Sequence, residues 1–249
     1  MHGFKLLLTR IDKALQTIKS FWLLKVLIKY QVIVSAEQRY VLSTNLSTVV
    51  DIGANRGQFT LAVRRWAYNA NVISFEPLEI AANQFRNIFR GDPKVTFHQI
   101  AIGPKKGIAN LHVSAADDSS SLLPISSLQE RLFPGTHELR IEQVEIAPLS
   151  VFIKPEKISA PAMLKIDVQG YELETLNGCK SLLHIFSFIY VECSFVELYK
   201  GQVLANEIIS WISNNNFHLI GIYNIIYDGQ GKCIQADFLF QNNNLLNSL

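Results

Sequence analysis

Residues 49–60 read Val-Val-Asp-Ile-Gly-Ala-Asn-Arg-Gly-Gln-Phe-Thr. The β-branched run that ends in Asp51 and Gly53 predicts a buried strand of a parallel sheet. Gly53 and Gly57 allow a tight backbone turn after that strand, and a helix is predicted to begin at Gln58. In open α/β sheets ligands bind beyond the carboxyl ends of the strands, so this turn is a candidate binding loop.

Strands and helices alternate through most of the remaining chain. Further strands are predicted over 72–77, 95–102, 163–167 and 188–192, and helices over 58–67, 79–89, 172–179 and 203–214. The last strand-like runs, 217–223 and 236–240, predict an antiparallel closing pair. This order predicts an α/β fold with a doubly wound, mostly parallel sheet.

Residues 103–150 interrupt the alternation. A Pro-Lys-Lys-Gly turn at 104–107 lies between strand-like runs, and a polar loop at 117–121 precedes another strand-like run at 141–146. We interpret this region as an insertion beside the sheet that carries hairpin strands and a lid loop.

Residues 1–45 are more basic than the rest of the chain, with seven Lys or Arg and two Asp or Glu. Apolar residues recur at steps of three and four from Phe4 to Val26, which predicts an amphipathic helical extension. Lysines interrupt the apolar runs, which argues against a membrane-spanning helix. Two interpretations stay open: a helix packed on the body of the protein or on a second copy in a homodimer, and peripheral membrane contact through residues 1–30.

The composition excludes several classes of protein. Hydrophobic residues make up 49% and charged residues 18%, which provides a large core and excludes global disorder. A net charge of +2 and the absence of a basic–aromatic stripe argue against a nucleic-acid partner. Three cysteines without a CxxC pair argue against a disulfide framework and fit a reducing, cytoplasmic location.

The candidate binding loop differs from the dinucleotide fingerprint. That fingerprint requires GxGxxG, whereas Asn55 stands where the second glycine would be. Glu76 ends the second predicted strand, where a carboxylate can accept both hydroxyls of a ribose. Ala101, at the end of the third strand, is small enough to lie beside a flat adenine. These residues together predict a nucleoside site.

The run 49–60, followed by Phe75-Glu76-Pro77, resembles the S-adenosylmethionine-binding start of class I methyltransferases. The later run 164–174, Leu-Lys-Ile-Asp-Val-Gln-Gly-Tyr-Glu-Leu-Glu, resembles the hallmark of the FkbM family. Asp118-Ser-Ser-Ser-Leu122 resembles the serine-rich loop of that family. The resemblance covers about residues 46–195 in order.

The resemblance implies a Rossmann-like class I methyltransferase domain over 46–249, S-adenosylmethionine as cofactor, and O-methylation of a carbohydrate, glycan or related natural-product hydroxyl. The implied cofactor-binding residues are Asp51, Gly53, Asn55, Gly57, Glu76, Ala101, Asp118 and Ser119. Two positions depart from the family pattern. Ser150 stands where Asp is common, and Gln169 stands where Glu often precedes the glycine, which changes one charge near the predicted reaction centre.

Asp167 and Glu192 are the candidate catalytic residues because each follows or ends a predicted buried strand at the same sheet edge. Methyl transfer to an alcohol is assisted by a general base that takes the hydroxyl proton. The two carboxylates could act as base and orienting group, or hold a divalent metal that acidifies the acceptor. The sequence leaves these alternatives open.

Two other functions compete with this hypothesis. One is a nicotinamide-dependent oxidoreductase of similar architecture, against which the missing GxGxxG argues. The other is a catalytically inactive methyltransferase fold that serves as an interaction module.

Overall fold

The computed structural model describes Thr17, residues 20–43 and residues 45–245. In this part of the chain seven strands form one sheet in the order β3-β2-β1-β7-β8-β10-β9. The strands are β1 (Thr48–Ile52), β2 (Asn71–Phe75), β3 (Val95–His98), β7 (Ala162–Ile166), β8 (Phe188–Ser194), β9 (Phe217–Tyr227) and β10 (Cys233–Asn242). The first five are mutually parallel, and β10 runs antiparallel to both β8 and β9. The predicted doubly wound sheet and its antiparallel closing pair are therefore confirmed.

Helices cover both faces of the sheet because the central strands are apolar on both sides. Val49 of β1 packs in a cluster with helices α1 (Phe21–Tyr30), α2 (Gln58–Trp66) and α3 (Glu79–Ile88). Val50 and Ile52 pack in the opposite cluster with α5 (Glu172–Cys179) and α6 (Ala205–Ser213). Successive side chains of a strand point to opposite faces, so a continuous apolar run requires cover on both.

The insertion forms a second, three-stranded sheet in the order β4-β6-β5. Its strands are β4 (Ala101–Ile102), β5 (Gly107–Ser114) and β6 (Glu138–Ala147), and the short helix α4 (Ser127–Leu132) lies between β5 and β6. The single strand predicted over 95–102 is wrong, because the chain leaves the main sheet after His98 and joins β6 at Ala101. The edge position of β3 permits this exit. The strand-like run at 141–146 lies in β6, which pairs antiparallel with β5, whereas β4 on the other side of the 104–107 turn pairs with β6.

Helix α1 packs on the body of the protein. Leu23 and Val26 are buried against α3, and the Trp22 ring meets the Phe89 ring edge-on at 6.3 Å between centroids. Phe21 and Ile28, on the other side of the helix, are 85% and 74% exposed. Most of the apolar stripe predicted from Phe4 onward lies outside the described residues. Within the described residues, no helix is long and apolar enough to cross a membrane.

Candidate active site

A cleft of about 470 Å³ opens beyond the carboxyl ends of β1, β2 and β7. Its walls come from the loops after those strands, from the insertion, from β8 to β10 and from the segment before β1. The sequence-predicted residues that line it are Gly53, Asn55, Glu76, Ala101, Asp118, Ser119, Asp167 and Glu192. Asp51 and Gly57 are not among the lining residues. The structure thus gathers eight of the ten predicted site residues in one cleft.

The loop after β1 is shaped by two glycines with positive φ. At Gly53, φ is +75° and a Cβ would lie 1.7 Å from the Asp167 carbonyl oxygen, so no side chain fits. At Gly57, φ is +95° and a Cβ would lie 2.4 Å from the Phe89 ring. Asn55 between them also has a positive φ, 46°, a conformation that asparagine tolerates better than most residues. The loop therefore packs directly on the strand end that carries Asp167.

Glu76 is tied to this loop. Its Oε2 accepts a hydrogen bond from the Asn55 backbone N–H at 2.9 Å, and its Oε1 accepts one from Leu78 N–H at 2.8 Å. Burial raises the pKa of Glu76 to about 7. Each carboxylate oxygen keeps a second acceptor site, so Glu76 can still receive two hydroxyls from the cleft.

Asp51 lies behind the loop and is fully buried. Its Oδ2 accepts a hydrogen bond from Thr60 Oγ1 at 2.9 Å, and its Oδ1 lies 3.0 Å from Lys165 Nζ. Lys165 also donates to the Gly53 carbonyl oxygen at 2.8 Å. Burial alone would lower the pKa of Lys165, but the charges of Asp51 and Asp167 raise it. Asp51 therefore does not line the cleft itself but contacts Lys165, which does line it.

Asp167 and Glu192 are joined by a carboxamide. Gln169 Nε2 donates to Asp167 Oδ1 at 2.8 Å and to Glu192 Oε2 at 2.9 Å. Gln235 Nε2 donates to the other oxygen of Glu192 at 2.6 Å. Burial, and then the charge of Asp167, raise the pKa of Glu192 well above its ordinary value. Asp167 is the more accessible of the two, with a third of its side chain exposed.

The polar loop of the insertion closes over this region. Arg56 forms a two-pronged ion pair with Asp117 Oδ2, at 2.7 Å from Nε and 2.6 Å from Nη2. The Tyr199 hydroxyl lies 3.0 Å from the Ser119 carbonyl oxygen and 2.8 Å from Gln169 Oε1. Burial raises the pKa of Asp118, and the charge of Asp117 adds to that effect. The loop is thus fastened to both strand-end loops that carry the predicted site.

Sequence reasoning missed several residues that the fold brings to the cleft. Lys165 could have been noticed, since a lysine inside the apolar run Met163–Ile166 requires a buried partner. Asp237 lies opposite Glu192 on β10 and accepts hydrogen bonds from Tyr190 and Asn224. Burial raises the pKa of Asp237 to about 6. No local signal identified it, because its position depends on how β10 pairs with β8.

The residues present fit S-adenosylmethionine. The loop residues Gly53 and Asn55 line the cleft beside Glu76, which has free acceptor sites for the hydroxyls of a ribose. Apolar lining residues beside Ala101 provide a surface for a base; they are Phe75, Ile100, Ile102 and Leu111. For a metal the structure gives no further support: in the described ranges no group of three or more His, Cys, Asp or Glu side chains is arranged to hold one.

Comparison with known proteins agrees with this geometry. A family model described as the methyltransferase FkbM domain matches residues 51–219. The 2-O-methyltransferase NoeI of Sinorhizobium fredii (strain NBRC 101917 / NGR234) is 24% identical over 205 residues, which are 79% of this chain and 80% of NoeI. Methyltransferase 1 of Beauveria bassiana (strain ARSEF 2860) is 27% identical over 147 residues, 53% of this chain and 58% of that protein.

Two solved structures were also found among the matches. The S-adenosyl-L-methionine complex of Sp1610 from Streptococcus pneumoniae has a TM-score of 0.48 and 8% identity, and the match covers 82% of this chain and 69% of that one. Precorrin-6y C5,15-methyltransferase of Geobacter metallireducens GS-15 has a TM-score of 0.45 and 9% identity, with 85% and 90% covered.

The fold and the cleft define a class I, Rossmann-like methyltransferase that uses S-adenosylmethionine. The chain belongs to the FkbM methyltransferase family. Family membership decides against the oxidoreductase, and the two relatives are both methyltransferases by name. The prediction from the two sequence runs is therefore confirmed at the level of family, fold, enzyme class and cofactor.

Proposed function

We propose that this enzyme transfers the methyl group of S-adenosylmethionine to a hydroxyl of a carbohydrate, a glycan or a related metabolite. The observation that carries the proposal is the pair Asp167 and Glu192, held together at the cofactor end of a polar cleft. A carboxylate at this place can bind an acceptor hydroxyl and take its proton. The relative NoeI, a 2-O-methyltransferase by name, supports oxygen as the methyl acceptor.

Bound S-adenosylmethionine supplies an electrophilic methyl carbon on a sulfonium. In the proposed reaction the acceptor hydroxyl donates a hydrogen bond to Asp167, which orients its oxygen toward that carbon. The C–O bond forms as the C–S bond breaks, and the hydroxyl proton passes to Asp167, leaving a methyl ether and S-adenosylhomocysteine. Alignment of the two reactants accounts for much of the rate in such displacements.

Glu192 has a different part in this proposal. Both of its oxygens already accept amide hydrogen bonds, and its pKa is raised, so it positions Gln169 and through it Asp167. The cofactor-binding roles of Gly53, Asn55, Glu76, Ala101, Asp118 and Ser119 belong to the same proposal. Asp51 and Gly57 support the loop from behind. A divalent metal shared by Asp167 and Glu192 is the alternative, and it predicts loss of activity in EDTA and recovery with Mg²⁺ or Mn²⁺.

The experiment that tests the proposal is a methyl-transfer assay with radiolabelled S-adenosylmethionine. The acceptors are methyl glycosides of common hexoses and deoxyhexoses, oligosaccharides, phenols, amines and a tRNA mixture. We expect label in a saccharide methyl ether, identified by mass spectrometry, and none in RNA. Transfer only to amines or RNA would overturn the proposal. The Asp167→Asn variant, which keeps the shape and loses the base, is the matched control.

The segment before residue 46 is proposed to be an extension that contacts a membrane surface or a second copy of the chain, in a cytoplasmic protein. Support comes from α1, where exposed Phe21 and Ile28 accompany Lys25 and Lys29. Full-length protein is compared with the Phe21→Ala/Ile28→Ala double variant. Reduced sedimentation with anionic vesicles would support membrane contact, whereas a change from dimer to monomer in light scattering would support self-association. If the double variant shows neither change, both interpretations are refuted.

A further inference from the structure

Three buried amide oxygens along the cleft have no hydrogen-bond donor in the described part of the chain. They are the Oε1 atoms of Gln38, Gln58 and Gln129, and all three residues line the same cleft. Leaving a buried acceptor unpaired costs about 1–3 kcal/mol. Three such groups at one cavity indicate that the cavity is completed by a ligand that donates hydrogen bonds.

Gln129 is the most constrained of the three, since only 3% of the residue is exposed. It lies in α4, whose first turn is capped by Ser126: the Ser126 Oγ accepts from Gln129 N–H at 3.2 Å. The same hydroxyl donates to the Glu197 carbonyl oxygen at 3.2 Å, which fastens α4 to the loop after β8. The backbone of Gln129 thus serves the fold, whereas its side-chain oxygen has no partner within it.

Gln38 enters the cleft from the segment before β1, outside the residues that match the family model. Val32, Val34 and Ala36 of this segment are buried, and Ile33 and Ser35 between them line the cleft. The alternation is that of an extended strand with one face on the core. Gln38 follows at the turn that ends the segment, so its backbone is held by the packing of its neighbours.

Gln58 connects this segment to the cofactor loop. Ser35 N–H donates to the Gln58 carbonyl oxygen at 3.2 Å, and Gln58 Nε2 lies 3.5 Å from Asn55 Oδ1. The amide nitrogen of Gln58 therefore faces the loop that is proposed to hold the cofactor. Its oxygen is left for another ligand of the cleft.

The opposite wall of the cleft carries further polar side chains. Asn224 and Gln235 contribute carboxamides, and Asp237 contributes a carboxylate, all from β9 and β10. A hydroxyl both donates and accepts, so it can satisfy a carboxamide in either orientation of its oxygen and nitrogen. An apolar or purely cationic methyl acceptor could not satisfy both the oxygens and the nitrogens of the carboxamides along the whole cleft.

We infer that Gln38, Gln58 and Gln129 form the acceptor subsite and that each binds a hydroxyl of a polyhydroxylated acceptor. This inference rests on the proposed function and assigns the residues that select its substrate. The hydroxyls bound by the three glutamines are not methylated; they hold the acceptor so that another hydroxyl faces Asp167.

The test uses three full-length variants, Gln38→Met, Gln58→Met and Gln129→Met, which keep the length of the side chain and remove its hydrogen bonds. Gln143→Met is the control, because Gln143 is exposed on β6 of the same insertion and does not line the cleft. The acceptor is the best methyl glycoside from the methyl-transfer assay, together with its monodeoxy analogues. S-adenosylhomocysteine affinity is measured by calorimetry, and thermal stability by scanning fluorimetry.

We expect kcat/KM for the acceptor to fall about tenfold in each cleft variant, mainly through KM, the effect of one lost hydrogen bond. In Gln38→Met and Gln129→Met, S-adenosylhomocysteine affinity should stay within about twofold and thermal stability should not decrease, because an unpaired buried oxygen has been removed. Gln58→Met also removes the 3.5 Å contact with Asn55, so its loss of acceptor kcat/KM should exceed any loss of S-adenosylhomocysteine affinity. With the wild type, one monodeoxy analogue should have a lower kcat/KM than the parent glycoside. With the variant that lacks the matching glutamine, the analogue and the parent glycoside should have the same kcat/KM.

Two results would overturn the inference while leaving the proposed function intact. One is unchanged acceptor kcat/KM in all three variants; the other is an equal loss of S-adenosylhomocysteine affinity, which would make these residues cofactor ligands. If the wild type methylates no hydroxyl compound but does methylate an amine or RNA, the proposed function fails and the inference fails with it.

Discussion

Asp167 and Glu192 share one hydrogen-bond donor: Gln169 Nε2 lies 2.8 Å from Asp167 Oδ1 and 2.9 Å from Glu192 Oε2. Two carboxylates at one place repel each other unless a donor or a proton lies between them. A glutamine supplies that donor without adding charge. Gln169 is therefore the residue that holds the proposed catalytic pair together.

Replacing Gln169 by Met should impair catalysis more than cofactor binding. Methionine keeps the length of the side chain but removes the donor that Asp167 and Glu192 share, so the two carboxylates repel each other and Asp167 is no longer held in place. We expect kcat at pH 7 to fall about tenfold or more, with S-adenosylhomocysteine affinity within about twofold. Gln143→Met, on an exposed strand, is the matched control. An unchanged kcat would contradict this role for Gln169.

Cofactor affinity should depend on the ionisation of Glu76. Ribose hydroxyls donate to the carboxylate, so binding favours the ionised form, and the pKa of Glu76 in the free protein is about 7. Affinity for S-adenosylhomocysteine, measured by calorimetry, should therefore rise as pH increases from 6 to 8. Glu76→Gln should remove that dependence, and Glu76→Ala should weaken binding about 10- to 100-fold. Glu192→Ala should weaken it less; the reverse order would refute the site assignment.

Glu172 should destabilise the folded protein at neutral pH. It is 3% exposed, its Oε1 accepts from Gly170 N–H at 2.9 Å, and burial raises its pKa to about 7. The folded state thus holds a proton that the unfolded state releases near pH 4.3, and the stability from this group falls as pH rises through 7. Glu172→Gln, which keeps an oxygen for Gly170, should match the wild type near pH 4. At pH 8 it should be more stable by up to roughly 3 kcal/mol in urea unfolding.

Lys165 and Asp51, which form a buried ion pair, should be strongly coupled in their effect on the free energy of unfolding. Lys165→Met leaves the Asp51 carboxylate without its cation, which should cost about 3–5 kcal/mol of unfolding free energy. The double variant Asp51→Asn/Lys165→Met removes both charges and should recover a large part of that loss. Urea unfolding of the single and double variants measures the coupling. A single variant that loses under 1 kcal/mol would show that Asp51 is stabilised by other groups.

The sequence by itself determined the order of most strands and helices along the chain, the family and the loop that we propose to hold the cofactor. These depend on local patterns: apolar runs of strand length, glycines at a turn, and carboxylates at strand ends, all within a few residues of one another. Glu76 and Asp167 could be found because each ends such a run, and the structure places both in the cleft.

Only the tertiary structure decided what the middle and the ends of the chain contribute to the sheets and to the cleft. The strand predicted over 95–102 divides between two sheets, because the exit of the chain at the sheet edge leaves no local signature. Gln38, Gln129 and Asp237 come from three separate parts of the chain and line one cleft. Their proximity depends on packing and on strand pairing between distant residues, which a residue's own neighbours do not specify. The loop proposed to hold the cofactor is a local motif, whereas the proposed acceptor subsite is assembled only when distant parts of the chain pack together.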